Sequence, residues 1–531
     1  MKPSKLRNRT NSATSLFALD SITVTPESSS PVLIVRNQSM ASQCTASVIR
    51  AVPPFTLSSA VPAGSVPGVG LIAGCDEQPA QPIIVTATAT TSDLPSITTS
   101  LFASLAACIA WPSSQGLHNV YMTSVSSVAE PQALLLQLLD PANRADPYRV
   151  YSQFRECGPV QLPVSNLTVF SAYRDCDEVL RHPLSSSDRL KSAVVQRMLA
   201  GAGASRPMAP PSFLFLDPPD HTRLRKLVSK AFVPKVVNEL QPDIAQLVDG
   251  LLDRIAERGR FDVIGDLAYP LPVAVICRLL GVPLADEPGF SRASALLAQA
   301  LDPFFAVTGE PAEGLEERIG AGQWLREYLH DLIEQRRSRP GDDLMSRLIA
   351  VEESGDQLTE DEIAATCSLL LIAGHETTVN LIANAVLAML RHPTQWAALG
   401  ADPDRASAVN EETLRYDPPV QLMPRFAADD MTIGDTRVIK GDTMLLLLAA
   451  AQHDPAEFEQ PETFDPDRKA FRHLSFGRGL HYCLGAPLAR LEAAVALSAV
   501  TTRFPGARLD GDPVYKPNVT LRGLSSLAVA V

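Results

Sequence analysis

A single cysteine carries the strongest chemical signal in this chain. Cys483 lies in the run Phe476-Gly477-Arg478-Gly479-Leu480-His481-Tyr482-Cys483-Leu484-Gly485, just ahead of a long apolar-periodic segment. Taken alone, a cysteine is most often an inert, buried, small apolar residue. Packing does not require Phe, three Gly, His and Cys in that order. The N-terminus of the helix expected after the run carries about half a positive charge and free N–H groups, a field that favours a thiolate. A thiolate is the form that ligates a metal. Gly477 and Gly479 allow a tight turn close to a flat partner, and Gly485 removes a side chain where that partner would pass.

A second constellation interrupts an apolar helix. Leu369-Leu370-Leu371-Ile372-Ala373-Gly374-His375-Glu376-Thr377-Thr378 puts polar groups where they are costly without partners. They either bond to a neighbouring helix or do chemistry. Glu376 and Thr377 form an acid–alcohol pair suited to proton transfer, and Thr377 can bond back to the carbonyl of Ala373 and widen the helix. Further pairs follow helical spacing. His221 and Arg225 stand at i and i+4 in Asp220-His221-Thr-Arg-Leu-Arg225, and Glu412 and Arg415 at i and i+3. By themselves these read as a solvated basic face and as a surface ion pair worth a few tenths of a kcal/mol.

Taken together, these motifs resemble the cytochromes P-450. The Cys483 run fills every specified position of the haem-loop pattern Phe-Gly-x-Gly-x-His-x-Cys-x-Gly. Residues 373–378 fill the Ala/Gly-Gly-x-Asp/Glu-Thr-Thr/Ser signature. The resemblance implies haem b with Cys483 as proximal ligand, Phe476 beside the sulfur, and Gly479 and Gly485 shaping the loop. His221, Arg225, Arg425 and His481 are then propionate contacts. Glu376 and Thr377 deliver protons to bound dioxygen, and Gly374 leaves room above the metal. Glu412, Arg415 and Arg468 become a scaffold, by likeness to the family's Glu-x-x-Arg and the later Phe464-Asp-Pro-Asp-Arg468. Gln452-His453-Asp454-Pro455 departs from the usual Asn-Arg-Asp-Pro at a position outside the site.

The expected fold is therefore mainly α with a minor β part, the haem lying between a long distal helix and the Cys483 loop. The expected activity is a haem-thiolate monooxygenase placing one atom of O2 into a lipophilic substrate. No flavin or iron–sulfur region is apparent, so electrons are expected from a separate ferredoxin or flavodoxin and its reductase, with Arg478 and Arg490 as docking candidates. A peroxide-driven enzyme is disfavoured by the Glu376-Thr377 pair, and a non-catalytic haem carrier or sensor has no use for it. The expected pocket walls are 185–215, 297–307 with Phe304 and Phe305, 420–423 and Leu524, whose apolar character suits a sizeable ligand.

Composition sets the remaining bounds. The 531 residues carry a formal charge of −13, with 46% hydrophobic and 20% charged residues, enough for a large core. The acidic balance argues against a nucleic-acid partner. Eight scattered cysteines without a Cys-x-x-Cys pair indicate neither a zinc site nor a disulfide framework. No apolar run reaches the roughly 18–20 residues of a membrane span, Leu101–Trp111 coming nearest. No apolar stretch follows Lys2, Lys5, Arg7 and Arg9 to make a signal peptide. A cytoplasmic protein without an integral membrane anchor is expected.

The elements that must position these residues begin after a change in composition near residue 122. Residues 1–121 are rich in Ser, Thr, Ala, Val and Pro. They read as a disordered extension or, preferably, as sequence upstream of a true start at Met122, with β-leaning pieces such as 82–91 lacking partners. Residues 122–531 read as the catalytic domain. Helices are predicted at 141–158, 222–233, 241–258, 271–280 and 318–337, and short strands at 160–170, 432–433 and 444–448. Thr359-Glu360-Asp361-Glu362 is a capping box. It opens a helix that runs to Arg391-His392 before Pro393, roughly 50 Å at 1.5 Å per residue.

Overall fold

The computed structural model describes residues 21–27, 30–36, 47–50, 131–201, 210–308, 313–353, 358–469 and 471–531. The chain divides into two units, Met1–Thr123 and Ser124–Val531. In the first, Ser21–Glu27, Ser30–Arg36 and Ser47–Arg50 form an antiparallel sheet in that order. The β-leaning piece at 82–91, the apolar run at 101–111 and Met122 lie outside the described residues.

The second unit is built around the helix Glu360–Arg391. Thr359 Oγ1 accepts from Glu362 N at 3.2 Å while Glu362 Oε2 accepts from Thr359 N at 2.9 Å, the reciprocal box expected from sequence. Most of the helix is buried: Ile382, Ala383, Ala385, Val386 and Met389 have no exposed surface. Among the described residues it is the one helix long and apolar enough to cross a membrane, but 67% of its apolar window is buried inside the fold. Around it pack Pro270–Leu280, Leu315–Ser338, Ala406–Tyr416 and Ala486–Arg503.

Most predicted elements appear with slightly shifted ends. Asp220–Ser229, Gln241–Ala256, Pro270–Leu280 and Leu315–Ser338 are helices. The stretch 141–158 splits into a 3-10 turn, Pro141–Asn143, and the helix Tyr148–Cys157, ended by Gly158 at φ 70°. Helices Tyr173–Arg181, Glu287–Gln299 and Pro393–Ala401 were not anticipated. None of the three has a side-chain cap hydrogen bond, so the strongest local start signal is missing.

The β part is small. A five-stranded sheet runs Val160–Leu162, Leu167–Phe170, Thr443–Leu446, Met423–Ala427, Ser185–Ser186. Thr443–Leu446 is parallel to Leu167–Phe170 and antiparallel to Met423–Ala427, with Met444 opposite Arg425. Near the C-terminus, Val514–Tyr515 pairs with Leu524–Ser526. The turn between them is pinned by Arg522, whose Nε donates to Asp417 Oδ1 at 2.8 Å and whose Nη2 donates to Ala145 O at 3.1 Å. Tyr148 also donates to Asp417 Oδ1, at 2.7 Å. Arg522 and Asp417 are both buried, so this ion pair is part of the interior.

Candidate active site

The Cys483 loop is held by its own backbone first. Cys483 N donates to Phe476 O at 2.7 Å, closing the run into a tight loop. Gly477 and Gly479 have φ of +69° and +64°, a region that other residues enter at a cost. A Cβ on Gly479 would also lie 2.9 Å from the carbonyl of Leu180. At Gly485 a Cβ would meet no described atom within 4 Å, leaving open space above the loop. Gly485 caps the helix Ala486–Arg503, so Cys483 does sit at a helix N-terminus.

The electrostatics at the thiol differ from the sequence expectation. Burial pushes the Cys483 thiol up, against the N–H groups of Gly485 and Ala486 and the cation Arg225, which pull it down. The helix field does not win by itself. A thiol in this position ionises when a metal takes the proton's place.

Beside the loop lies a group of basic side chains with few protein partners. His221 is 2% exposed, and neither ring nitrogen has a hydrogen-bond partner. Its ring centroid is 4.2 Å from that of His481. Arg425 is buried in the sheet, and its Nη1 donates to Pro424 O at 2.9 Å. Burial draws the Arg425 guanidinium down to about 10. Burial, with Arg425 and His221 nearby, draws His481 down to about 3. Asp217 is the acid that acts on both Arg425 and His481, yet it is bonded to Ser186, Ser187 N and Lys191. A buried guanidinium beside an imidazole with two bare nitrogens calls for an anion that the described residues do not supply. Arg225 is partly committed, since Nη2 donates to the carbonyl of Tyr482.

The central helix supplies the opposite face. Within it Ser368, Leu369, Ile372, Ala373, Glu376 and Thr377 keep accessible surface, Ala373 the most, although the helix as a whole is buried. Their spacing puts them on one side, facing a space that other side chains leave open. Thr377 Oγ1 donates to Ala373 O at 2.8 Å as expected, but the α-helix continues unbroken and no widened turn forms. Gly374 serves a different purpose from the one expected. A Cβ there would lie 2.9 Å from Ile276 Cδ1, so its smallness lets the helix Pro270–Leu280 approach.

The scaffold trio is assembled and buried. Arg415 and Glu412 have no exposed side-chain surface and make two bonds, Nε to Oε2 at 2.9 Å and Nη2 to Oε1 at 2.7 Å. The surface-pair alternative is thereby excluded. Arg415 also donates to the carbonyls of Gln452, Pro461 and Thr463, and Arg468 Nε lies 3.4 Å from Glu412 Oε2. Gln452, set aside at the sequence level, accepts from Leu474 N at 2.9 Å and donates to Leu414 O at 3.2 Å. It fastens the entry of the Cys483 loop to the helix Ala406–Tyr416.

Two cations suggested for docking are engaged within the chain. Arg490 binds Glu411 through Nε at 2.6 Å and stands over the Phe476 ring, 4.5 Å from its centroid. Burial works against ionisation of Glu411, but His473 and Arg490 hold it down at about 2. Arg478 Nε lies 3.3 Å from Asp177 Oδ1. Lys516, which sequence reading passed over, donates to Glu376 Oε2 at 2.8 Å.

Known proteins resemble this chain in sequence and fold. The family profile described as Cytochrome P450 matches residues 148–514. Cytochrome P450 107B1 of Saccharopolyspora erythraea is 39% identical over 406 residues, 74% of this chain and 97% of that protein. The cytochrome P450 monooxygenase PikC of Streptomyces venezuelae is 39% identical over 418 residues, 77% of this chain and 96% of that protein. The crystal structure of Mycobacterium smegmatis CYP164A2 in its ligand-free state is 67% identical with a TM-score of 0.73, covering 75% of this chain and 100% of that one. The same protein is also known with econazole bound, at the same identity and coverage.

Proposed function

The chain belongs to the cytochrome P450 family of monooxygenases, and we propose that Cys483 holds haem b and that the enzyme oxygenates a lipophilic organic molecule. The carrying observation is His221, buried with both ring nitrogens unpartnered, against the His481 ring and with the buried Arg425 nearby at the Cys483 loop. Haem b brings two propionates, the charge and acceptor atoms this group lacks, and open space at Gly485 suits a flat ring. Cys483 would ligate the metal, Phe476 would pack beside the sulfur, and His221, Arg225, Arg425 and His481 would bind the propionates.

When bound, thiolate-ligated haem supplies dioxygen activation and favours O–O cleavage. The chain's own contribution on the distal side is proton handling. Glu376 exchanges protons at its carboxylate, and Thr377 passes them on at Oγ1. Because that hydroxyl donates to Ala373 O, its lone pairs stay free to accept. Glu412, Arg415 and Arg468 keep the proximal loop in place and touch no substrate. Electrons come from a separate ferredoxin or flavodoxin with its reductase. The cytoplasm is the proposed location. A lipophilic substrate agrees with econazole as a ligand of the Mycobacterium smegmatis relative.

Thr377→Ala tests this reading. Turnover of a substrate found by its shift of the haem Soret band should fall about 100-fold, the lower range for loss of a positioned proton donor, while electron consumption continues into peroxide. No product from the parent enzyme with any donor, and no change in the variant, would leave a haem carrier instead. Arg425→Met should speed loss of haem to a globin acceptor about tenfold or more, the worth of a charge-assisted bond. Unchanged haem loss would remove Arg425 from the propionate set.

A further inference from the structure

Glu376 stands between two side chains that recognise different forms of a carboxyl group. On one side Lys516 Nζ donates to Oε2 at 2.8 Å and to Asn380 Oδ1 at 3.2 Å. On the other, His375 Nε2 lies 3.9 Å from Oε1, too far for a hydrogen bond. His375 has no exposed surface, and its Nδ1 meets Leu371 O at 2.6 Å. A carbonyl accepts only, so Nδ1 carries the hydrogen and Nε2 of the neutral ring is a bare lone pair. That lone pair is buried without a partner. Tyr269 and Phe290 face the ring edge-on at 6.2 and 6.4 Å, and the Tyr269 hydroxyl is taken by Glu287 and Ser291.

Lys516 is built in. Its N–H donates to Gly523 O at 3.0 Å. The turn it opens is clamped by Asp302, whose Oδ1 accepts from Val519 N at 3.1 Å and Thr520 N at 2.7 Å. Gly523 lies against the central helix so closely that a Cβ would fall 1.9 Å from Asn380 Oδ1. The hairpin backbone thus seats on Asn380, one helical turn from Glu376, and brings the ammonium to the carboxylate.

An ammonium bound to a carboxylate favours the ionised form, and a proton donor must also visit the protonated one. A bare imidazole nitrogen stabilises that second form by accepting its O–H. We propose that Lys516 and His375 are the positioning residues of Glu376: Lys516 Nζ holds the carboxylate by Oε2, and His375 Nε2 receives the O–H once the carboxyl is protonated. The proton enters from solvent on the Lys516 side, where that side chain is 21% exposed. It leaves Glu376 toward Thr377 Oγ1, and the carboxylate returns to Lys516 Nζ. One proton enters and one leaves, and no electron moves in this step.

The inference rests on Glu376 acting as proton donor, so the test includes Glu376→Gln. Haem-loaded Lys516→Met, Lys516→Arg and His375→Leu are compared with the parent for product formed per electron pair and for the solvent isotope effect on product formation. In Lys516→Met and His375→Leu product per electron pair should fall about tenfold, short of the full loss of a general acid, and the isotope effect should rise. Lys516→Arg should restore both. A crystal structure of Lys516→Met should show Glu376 within hydrogen-bond reach of His375 Nε2. Parent coupling and isotope effect in Lys516→Met, or an unmoved Glu376, would overturn the proposal. If Glu376→Gln too is unaltered, the proton-donor reading fails; if it is impaired while Lys516→Met is not, the positioning role alone fails.

Discussion

Replacing Cys483 with serine is expected to abolish the red-shifted Soret band of the reduced carbon monoxide complex while leaving the polypeptide folded. Serine is nearly isosteric, and the bond that shapes the loop, Cys483 N to Phe476 O, belongs to the backbone. Gly477 and Gly479 keep their turns, and Arg490 stays over Phe476 through Glu411. The change would therefore fall on the proposed bond to the metal. A hydroxyl ionises far less readily than a thiol, and burial already opposes charge at this position. Spectra of the reduced protein under carbon monoxide measure the outcome, and circular dichroism establishes that the variant is folded. Persistence of the thiolate band would remove Cys483 as ligand.

Arg415→Met should cost the fold most among these substitutions, about 3–5 kcal/mol. It would leave Glu412 charged and buried with Arg468 at 3.4 Å as its remaining cation, and would strip a donor from three carbonyls. Domains hold together by only about 5–15 kcal/mol, so little haem-loaded soluble protein should accumulate. Adding Glu412→Gln should recover part of the loss, because the stranded charge goes with it. Urea unfolding midpoints of the single and double variants measure this. A single variant within about 1 kcal/mol of the parent would show that the buried pair contributes no more than an ordinary surface contact does.

What could be read from sequence was what adjacent residues decide. The Cys483 loop, the capping box of the central helix and the Thr377 back-bond depend on spacings of a few residues, and all three are present. The depth of Glu412 and Arg415 was not legible, because an i, i+3 pair looks the same on a surface and in a core. Carbonyls 37 to 48 residues downstream make it internal. Gly374 was assigned to the cavity, whereas its neighbour is Ile276, about a hundred residues upstream in the chain. Lys516 meets Glu376 across 140 residues. A lysine in a turn gives no sign of such a partner, and burial by remote segments has no local signature.

The position of Arg522 bears on how the protein is made. Its partners, the carbonyls of Arg144 and Ala145 and the carboxylate of Asp417, are synthesised long before it. While residue 522 is still inside the ribosome, Asp417 has the Tyr148 hydroxyl but not yet this guanidinium, and the carbonyls of Arg144 and Ala145 lack their donor. Chains that fold from the N-terminus as they emerge can stabilise early parts first. Here the segment leading into Tyr148 gains its Arg522 anchor only when one of the last residues of the domain has been translated. The clamp of Arg522 on Asp417, Arg144 and Ala145 therefore closes only after residue 522 has emerged, which makes it one of the last parts of the fold to be completed.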